Sequence, residues 1–491
     1  MPAPDAPAPP PGPGDAAFDA ERFRREGRRV VDWIADYLST LAARPVQSQV
    51  APGWVRSQLA AHPPENPEPL DAVLADLDRV IVPGLTHWQH PGFFAFFPAG
   101  SGGPSILGEL LAAGLGVQGM LWITSPACTE LETLALDWLR ELLGLPERFA
   151  STGPGGGVIQ DSASSGLLTA VVAARERVLA EAPARTTDIG RLVAYASAAA
   201  HSSVEKGVGI AGLGRAALRK IAVDARGAMD VAALAAAMAE DVRAGRIPCF
   251  VAATVGTTAA GVIDPVPAIA AEARRHGAWL HVDAAWAGAA AVCPELRGPI
   301  VAGAEAADSW GFNPHKWLPV NLDCHALWLA DRRPLIHGLS MKPDYLRNAA
   351  TESGAVIDYA DWQVPLGRRF RALKLWMTLR MLGTEALRDR IRGHVAWAAW
   401  FAERVRSDSR FALLAPPSLS LVCFGLETGD EATAALLEQV NRRGRVCLSS
   451  ATVGGRLALR LAVGGTLTRR EDVEAAWAEV TAAANAATHD G

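Results

Sequence analysis

Lys316 stands among apolar neighbours. In "SWGFNPHKWLPVNLD", residues 309–323, it is flanked by His315 and Trp317, with no acid before Asp323. An ammonium group there must be exposed, paired or neutral, because a buried unpaired charge is costly. The neutral amine is a nucleophile that can form a Schiff base with a carbonyl. Four other places have chemical reach. "LHVDAAWAG" puts Asp283 at the end of an apolar run, where a carboxylate either caps a turn or faces a cationic ligand atom. His201 in "AAAHSSVEKG" also follows an apolar run, a setting that suits a structural histidine as well as a functional one. Thr257 and Thr258 in "ATVGTTAAG" supply hydroxyls for a ligand or for a cap. In "IQDSASSGLL", Ser162, Ala163 and Ser164 open a helix, and its free N–H groups and dipole suit a phosphate. Ordinary capping by Asp161 or Ser162 explains the same pattern.

Glycine patterns compete weakly. "KGVGIAG" matches a dinucleotide spacing but follows a helical stretch rather than a strand, and "GPGGG" at 153–157 lacks the Lys-Ser/Thr of a P-loop. The weight lies in coincidence. Successive strand ends offer a phosphate cradle, a histidine able to stack, two hydroxyls, an acid and an isolated lysine. A pyridoxal phosphate site needs an anchor for phosphate, a Schiff-base lysine and an acid for the pyridinium nitrogen. Neither a metal-ligand set nor a Ser-His-Asp constellation competes.

The elements that must position these residues are legible in outline. From about 105 to 340, the apolar runs "GVIQD", "LVAYAS", "CFVAATVG", "AWLHVDAA" and "DSWGFN" alternate with helical stretches. This pattern predicts an α/β domain with a mostly parallel sheet covered on both faces, and ligands beyond the strands' carboxyl ends. The stretch from Asp15 to about Pro98 reads as helical, and the chain beyond about 385 as a smaller α+β domain.

Bulk composition bounds the function. Lys and Arg total 47 against 52 acids over 491 residues, a formal charge of -5 with no basic block, which argues against a nucleic-acid partner. The six cysteines show no CxxC pair and suit a reducing cytoplasm. No run of about 18 apolar residues predicts a membrane span. The N-terminal "MPAPDAPAPPPGPGD" lacks the parts of a signal peptide and reads as a disordered tail.

"HPGFFAFFPA", "SPACTELETLALDWL", "GGGVIQDSAS", "AHSSVEK", "ATVGTT", "HVDAAWAG", "FNPHKW", "VNLDCHALW" and "DWQVPLGRRFRALKLW" together resemble the group II pyridoxal-phosphate decarboxylases, from about residue 20 to 480. The closest branch is the aromatic L-amino acid decarboxylases, in a bacterial-type tryptophan or aromatic amino acid form. The resemblance implies an aspartate aminotransferase-like (fold type I) large domain with a mostly parallel seven-stranded sheet, at 101–380. It adds a Pro-rich tail at 1–14, an N-terminal helical dimerisation segment at 15–100 and a small α+β domain at 381–491. It also implies a homodimer with the active site at the subunit interface.

By the same resemblance, Lys316 carries the cofactor and Asp283 pairs its ring nitrogen. His201 stacks on the ring, Thr258 lies near it and Ala285 lies against its face. Ala163 and Ser164 hold the phosphate, with Ser309 and Asn313 contributing from the lysine strand. His315 sits beside the Schiff base and assists substrate binding or proton transfer. Tyr345, in "LSMKPDYLRNAATESG", belongs to the family's mobile loop and protonates the substrate carbon. Relatives with phenylalanine at that place tend to be aldehyde synthases, so a tyrosine favours simple decarboxylation.

Trp88, Phe96, Phe97 and Pro98 form the expected aromatic substrate wall, and Gln118 and Met120 come across the dimer interface. Ala99 replaces a threonine that contacts substrate in animal relatives. Gly367 matches the indole-preferring plant enzymes. The expected reaction is therefore decarboxylation of tryptophan or 5-hydroxytryptophan, with phenylalanine, tyrosine and dopa as further options. An aldehyde synthase on the same scaffold is the alternative.

Overall fold

The computed structural model describes residues 18–181, 189–341 and 356–487, which fall into two compact units, Met1–His87 and Trp88–Gly491. In the first unit, Asp19 caps the helix Ala20–Thr40 by accepting from the N–H groups of Glu21 and Arg22. It thereby satisfies two donors that a helix start leaves free. No residue of this helix is buried, and Phe18, Phe23 and Val31 are exposed beside it. Its Trp33 stacks on Tyr37 at 5.6 Å and donates to Asp78 at 3.1 Å.

The second unit is built on a seven-stranded sheet. Its strands are β1 (Gly156–Gln160), β2 (Leu192–Ser197), β3 (Leu218–Ile221), β4 (Ile247–Thr254), β5 (Trp279–Asp283), β6 (Ser309–Phe312) and β7 (His325–Leu329), in the order β1-β7-β6-β5-β4-β2-β3. β7 alone breaks the parallel arrangement, running antiparallel to both β1 and β6. The mostly parallel seven-stranded sheet is therefore as expected. β3 and β7 are the strands that the apolar-run reading did not name.

Side-chain alternation divides this sheet between two cores. Tyr195, Val251, Leu280, Val282, Trp310 and Phe312 enter one. Ala194, Phe250, Trp279 and Leu327 enter the other, together with Leu167, Ala170 and Val171 of the helix Ala163–Glu181. Both faces are thus dry, which explains why the central strands read as unbroken apolar runs. Asp283 has the parity of Trp279, and His325 that of Leu327. Both therefore lie on the side of the sheet covered by the helix Ala163–Glu181.

A second, antiparallel sheet has the order β10-β11-β9-β8, with β8 at Phe411–Leu413, β9 at Leu421–Leu426, β10 at Ser449–Val453 and β11 at Arg456–Ala462. Leu436 and Val440 of the helix Asp430–Arg442, with Val473 and Val480 of the helix Arg470–Ala487, pack on it. The 37-residue helix Arg371–Ser407 leads into this region and breaks at Gly383, whose φ of 73° and ψ of 168° suit glycine alone. The expected boundary between 380 and 381 falls within that helix, and the one at 100 falls inside the second unit.

Candidate active site

The carboxyl ends of β1, β2, β4, β5 and β6 all open at one edge of the large sheet, and the amino end of β7 joins them. After β1, the helix Ala163–Glu181 begins at Ala163 and Ser164, with Ser162 Oγ accepting from Ser165 N at 3.3 Å. The first N–H groups of a helix have no partner within it, which leaves donors for an anion. His201, beyond β2, is exposed, and its Nδ1 accepts from Ser203 N at 3.1 Å. That bond places the proton of the neutral ring on Nε2. Beyond β4, Thr257 is buried with its hydroxyl accepting from Val262 N, while Thr258 is exposed.

Asp283 closes β5, 9% exposed, and its Oδ1 accepts from Ala285 N at 3.0 Å. Ala285 O in turn accepts from Asn313 N at 3.0 Å, and Asn313 O accepts from Lys316 N at 3.0 Å. Acid, small residue, asparagine and lysine are thus tied in one chain of backbone contacts. The loop holding Lys316 is fixed further by His315, whose Nδ1 accepts from Cys324 N and whose carbonyl accepts from Gly100 N.

Electrostatics follow from this enclosure. Burial pushes the Lys316 ammonium below the usual lysine range; Asp283 opposes that shift and Arg460 adds to it. Among the described residues, Lys316 has no ion-pair partner. Burial, and then Lys316, push His315 down to about 4, so the ring is neutral near pH 7. Although its edge reaches solvent, desolvation of the ring lowers His201 as well, with Asp283 opposing and Lys316 adding. A lysine made less basic by burial, near a fixed carboxylate, is suited to Schiff-base chemistry.

The apolar wall is continuous. Phe97 stacks on Trp286 at 4.4 Å, and Trp286 on Trp317 at 5.4 Å. Lys316 Nζ lies 5.5 Å from the centre of the Phe97 ring. Pro98 is buried nearby, close enough to Gly464 that a Cβ there would meet its Cγ at 2.4 Å. Trp88 stacks on Phe96 at 5.6 Å, both rings exposed.

The structure does not bring every expected residue to this edge. Ser309 begins β6, opposite His281, two register positions below Asp283 and four residues before Asn313. It is fully buried, and its hydroxyl is engaged by Trp279 Nε1 at 2.8 Å and His281 Nδ1 at 2.9 Å. At about 3.3 Å per residue it is roughly 13 Å along the strand from Asn313. This corrects its expected phosphate contact, since strand position outweighs nearness in sequence. Gln118 and Gly367 meet each other instead: a Cβ at Gly367 would lie 3.3 Å from Gln118 Nε2, and Gln118 Oε1 accepts from Arg368 N. Met120 is half-buried, and its carbonyl accepts from Ala360 N. Tyr345 lies outside the described residues.

Two residues that the sequence reading passed over belong here. Arg460, on β11, is 3% exposed and sits 5.0 Å from the Phe97 ring centre, bonded to Ala259 O, Phe96 O and Ser449 Oγ. Its Nη2 is buried without a partner, a donor available to an anion. A charged residue inside the apolar run "LALRLAV" was the available signal. Trp286, in "HVDAAWAG", completes the stack.

Helix N–H groups and the Asn313 amide for a phosphate, Asp283 for a pyridinium, and Lys316 for an aldehyde carbon together fit pyridoxal phosphate. Comparison with known proteins leads the same way. Residues 52–427 match the pyridoxal-dependent decarboxylase conserved domain. The chain is 43% identical to tryptophan decarboxylase 2 of Oryza sativa subsp. japonica, over 94% of each chain. It is also 43% identical to phenylacetaldehyde synthase of Arabidopsis thaliana, over 94% of this chain and 95% of that one. The crystal structure of the Oryza sativa enzyme with pyridoxal phosphate and tryptamine superposes with a TM-score of 0.93 at 40% identity, covering 96% of this chain and 99% of that one. These relatives come from plants, so the bacterial-type qualifier has no support. The lysine in apolar company, the strand-end acid and the match across most of the chain converge: this chain belongs to the pyridoxal-dependent decarboxylase family.

Proposed function

We propose that the protein decarboxylates aromatic L-amino acids, tryptophan or 5-hydroxytryptophan foremost, releasing an arylalkylamine and carbon dioxide. The observation that carries this reading is Lys316, made less basic by burial, over a wall of stacked Phe97, Trp286 and Trp317. A flat aromatic side chain matches such a wall. The names of the relatives, a tryptophan decarboxylase and a phenylacetaldehyde synthase, support the aromatic class.

When bound, the cofactor supplies the sink for the electrons left as the carboxylate departs. This chain's residues orient and polarise. Asp283 would hold a proton on the ring nitrogen. His201, Ala285 and Thr258 would pack about the ring. Ala163, Ser164 and Asn313 would fix the phosphate. The apolar surroundings of Lys316 disfavour the charged form of its amine, which leaves Nζ more available as a nucleophile than an exposed lysine. His315, neutral beside it, has Nδ1 occupied by Cys324 N and so presents Nε2–H as a donor. The reading of amine over aldehyde rests on the tyrosine at position 345, by family resemblance.

The active form is read as a homodimer, with the N-terminal segment and the exposed Leu107, Leu110, Leu111 and Leu115 of the helix Gly103–Leu115 at the subunit contact. Gln118 and Met120 follow directly and reach the partner's site. Cys128, Cys249, Cys293, Cys324 and Cys423 are buried and form no disulfide, which supports a cytoplasmic location. No helix of the described residues is long and apolar enough to cross a membrane.

The test is a product balance for the holoenzyme on tryptophan, 5-hydroxytryptophan, phenylalanine, tyrosine, dopa, glutamate and histidine. Equal amine and carbon dioxide from the aromatic substrates, indoles fastest, is the expected result. Aldehyde with ammonia and peroxide would select the synthase reading, which the second relative favours. Turnover of glutamate or histidine instead would overturn the aromatic class.

A further inference from the structure

His325 is the first residue of β7, 1% exposed, and no step above uses it. Its Nδ1 lies 2.5 Å from Asn313 Oδ1. An amide oxygen only accepts, so Nδ1 carries the proton and donates. This bond decides which way the Asn313 amide points. The oxygen turns to His325 and the NH2 group turns away, with no partner for it among the described residues. Asn313 is otherwise clamped at its backbone, donating to Ala285 O and accepting from Lys316 N.

The far edge of the imidazole meets the other half of the anion cradle. A Cβ at Gly166, in the first turn of the helix Ala163–Glu181, would fall 2.3 Å from His325 Nε2. A Cβ at Gly311 would fall 3.0 Å from His325 Cε1. Two glycines on separate elements thus leave room for this ring, which spans from the helix start to Asn313. Its Nε2 is buried without a partner, so the ring is not held there by a bond on that side.

We propose that His325 is a positioning residue for the cofactor phosphate: its Nδ1–H turns the Asn313 amide so that the NH2 donors face the phosphate, and its ring sets Asn313 against the helix start. The proposal rests on the reading above that Asn313 and the helix start hold that phosphate. It gives a chemical role to a histidine that fold stability alone would fill with an apolar residue.

The experiment compares dissociation constants of pyridoxal phosphate and of pyridoxal, which lacks the phosphate, for the parent protein and for His325→Leu, His325→Asn and Asn313→Ala. Asparagine places an N–H near the position of Nδ1, whereas leucine fills space without donating. His325→Leu should weaken pyridoxal phosphate about tenfold while pyridoxal changes by less than about twofold, and His325→Asn should recover to within about threefold of the parent. Added to Asn313→Ala, His325→Leu should have no further effect, as expected for two groups acting through one contact. Retention of pyridoxal phosphate by His325→Leu, equal loss of both ligands, or full additivity with Asn313→Ala would each overturn the proposal. If Asn313→Ala itself keeps pyridoxal phosphate, the phosphate reading fails instead. Should His325→Leu not fold, His325→Gln, whose longer amide misses Asn313, must show the same selective loss.

Discussion

Several buried histidines of the protein are held neutral by their surroundings, and that has a measurable consequence. Burial pushes His281 down to about 4 and, with Lys316, does the same to His315; His325 and His394 are pushed well below the ordinary 6.5, burial again the largest cause. In each case the unfolded chain takes up a proton that the folded protein refuses. Folding stability should therefore be fully present above about pH 6.5 and fall as the pH drops toward 4, each group steepening the loss by up to about 1.4 kcal/mol per pH unit. Denaturant midpoints between pH 7 and 4.5 check this, and a flat profile would contradict it. Lys316, Asp283 and His201 stand out in the sequence because their types are unusual at the ends of apolar runs, and the fold sets Asp283 and Lys316 in one chain of contacts. Ser309 misled for the opposite reason. A small polar residue near the lysine motif looks like a ligand contact, but the strand register puts its hydroxyl under Trp279 and His281. Arg460 was invisible because β11 brings it to the site from far away in sequence, and His325 because β7, which it begins, follows the lysine motif too closely to read as a strand.

Elements hold these side chains still. The buried Glu132–Arg368 pair joins the helix Pro126–Leu143 to the segment before the helix Arg371–Ser407, and Glu132 also accepts from Ile159 N on β1 at 2.8 Å. Arg368 further donates to Gln363 Oε1 at 2.8 Å and lies over the Tyr359 ring. Removing one partner strands a buried charge, so Glu132→Gln should cost about 3–5 kcal/mol, read from the denaturant midpoint. A loss below about 1 kcal/mol would show that water reaches Arg368. Replacing both residues by methionine should cost less than the single change. Five strands of the large sheet could be read from sequence because dry faces on both sides demand continuous apolar runs. β3, "LRKI", sits at the sheet edge with its charged residues half-buried or exposed, and β7 follows the lysine motif too closely to announce itself as a strand.

At the level of the assembled molecule, the helix Gly103–Leu115 shows its leucines to solvent in the single chain. Exposed apolar patches of this kind mark contact surfaces. Leu110→Glu should turn a dimer into monomers in sedimentation and abolish turnover, since each site would lose Gln118 and Met120 of the other subunit. A parent protein that is monomeric and fully active would contradict the interface reading. The two-core α/β architecture itself followed from the alternation of apolar runs and helices. The antiparallel β7 and the break at Gly383 did not, because both depend on tertiary pairing rather than local pattern.

All of this turns on which lysine carries the cofactor. Borohydride reduction of the holoenzyme, followed by peptide mapping, should place the phosphopyridoxyl group on Lys316 and on no other residue. Labelling of another lysine, such as the buried Lys374 near Glu109, or no labelling at all, would contradict the account.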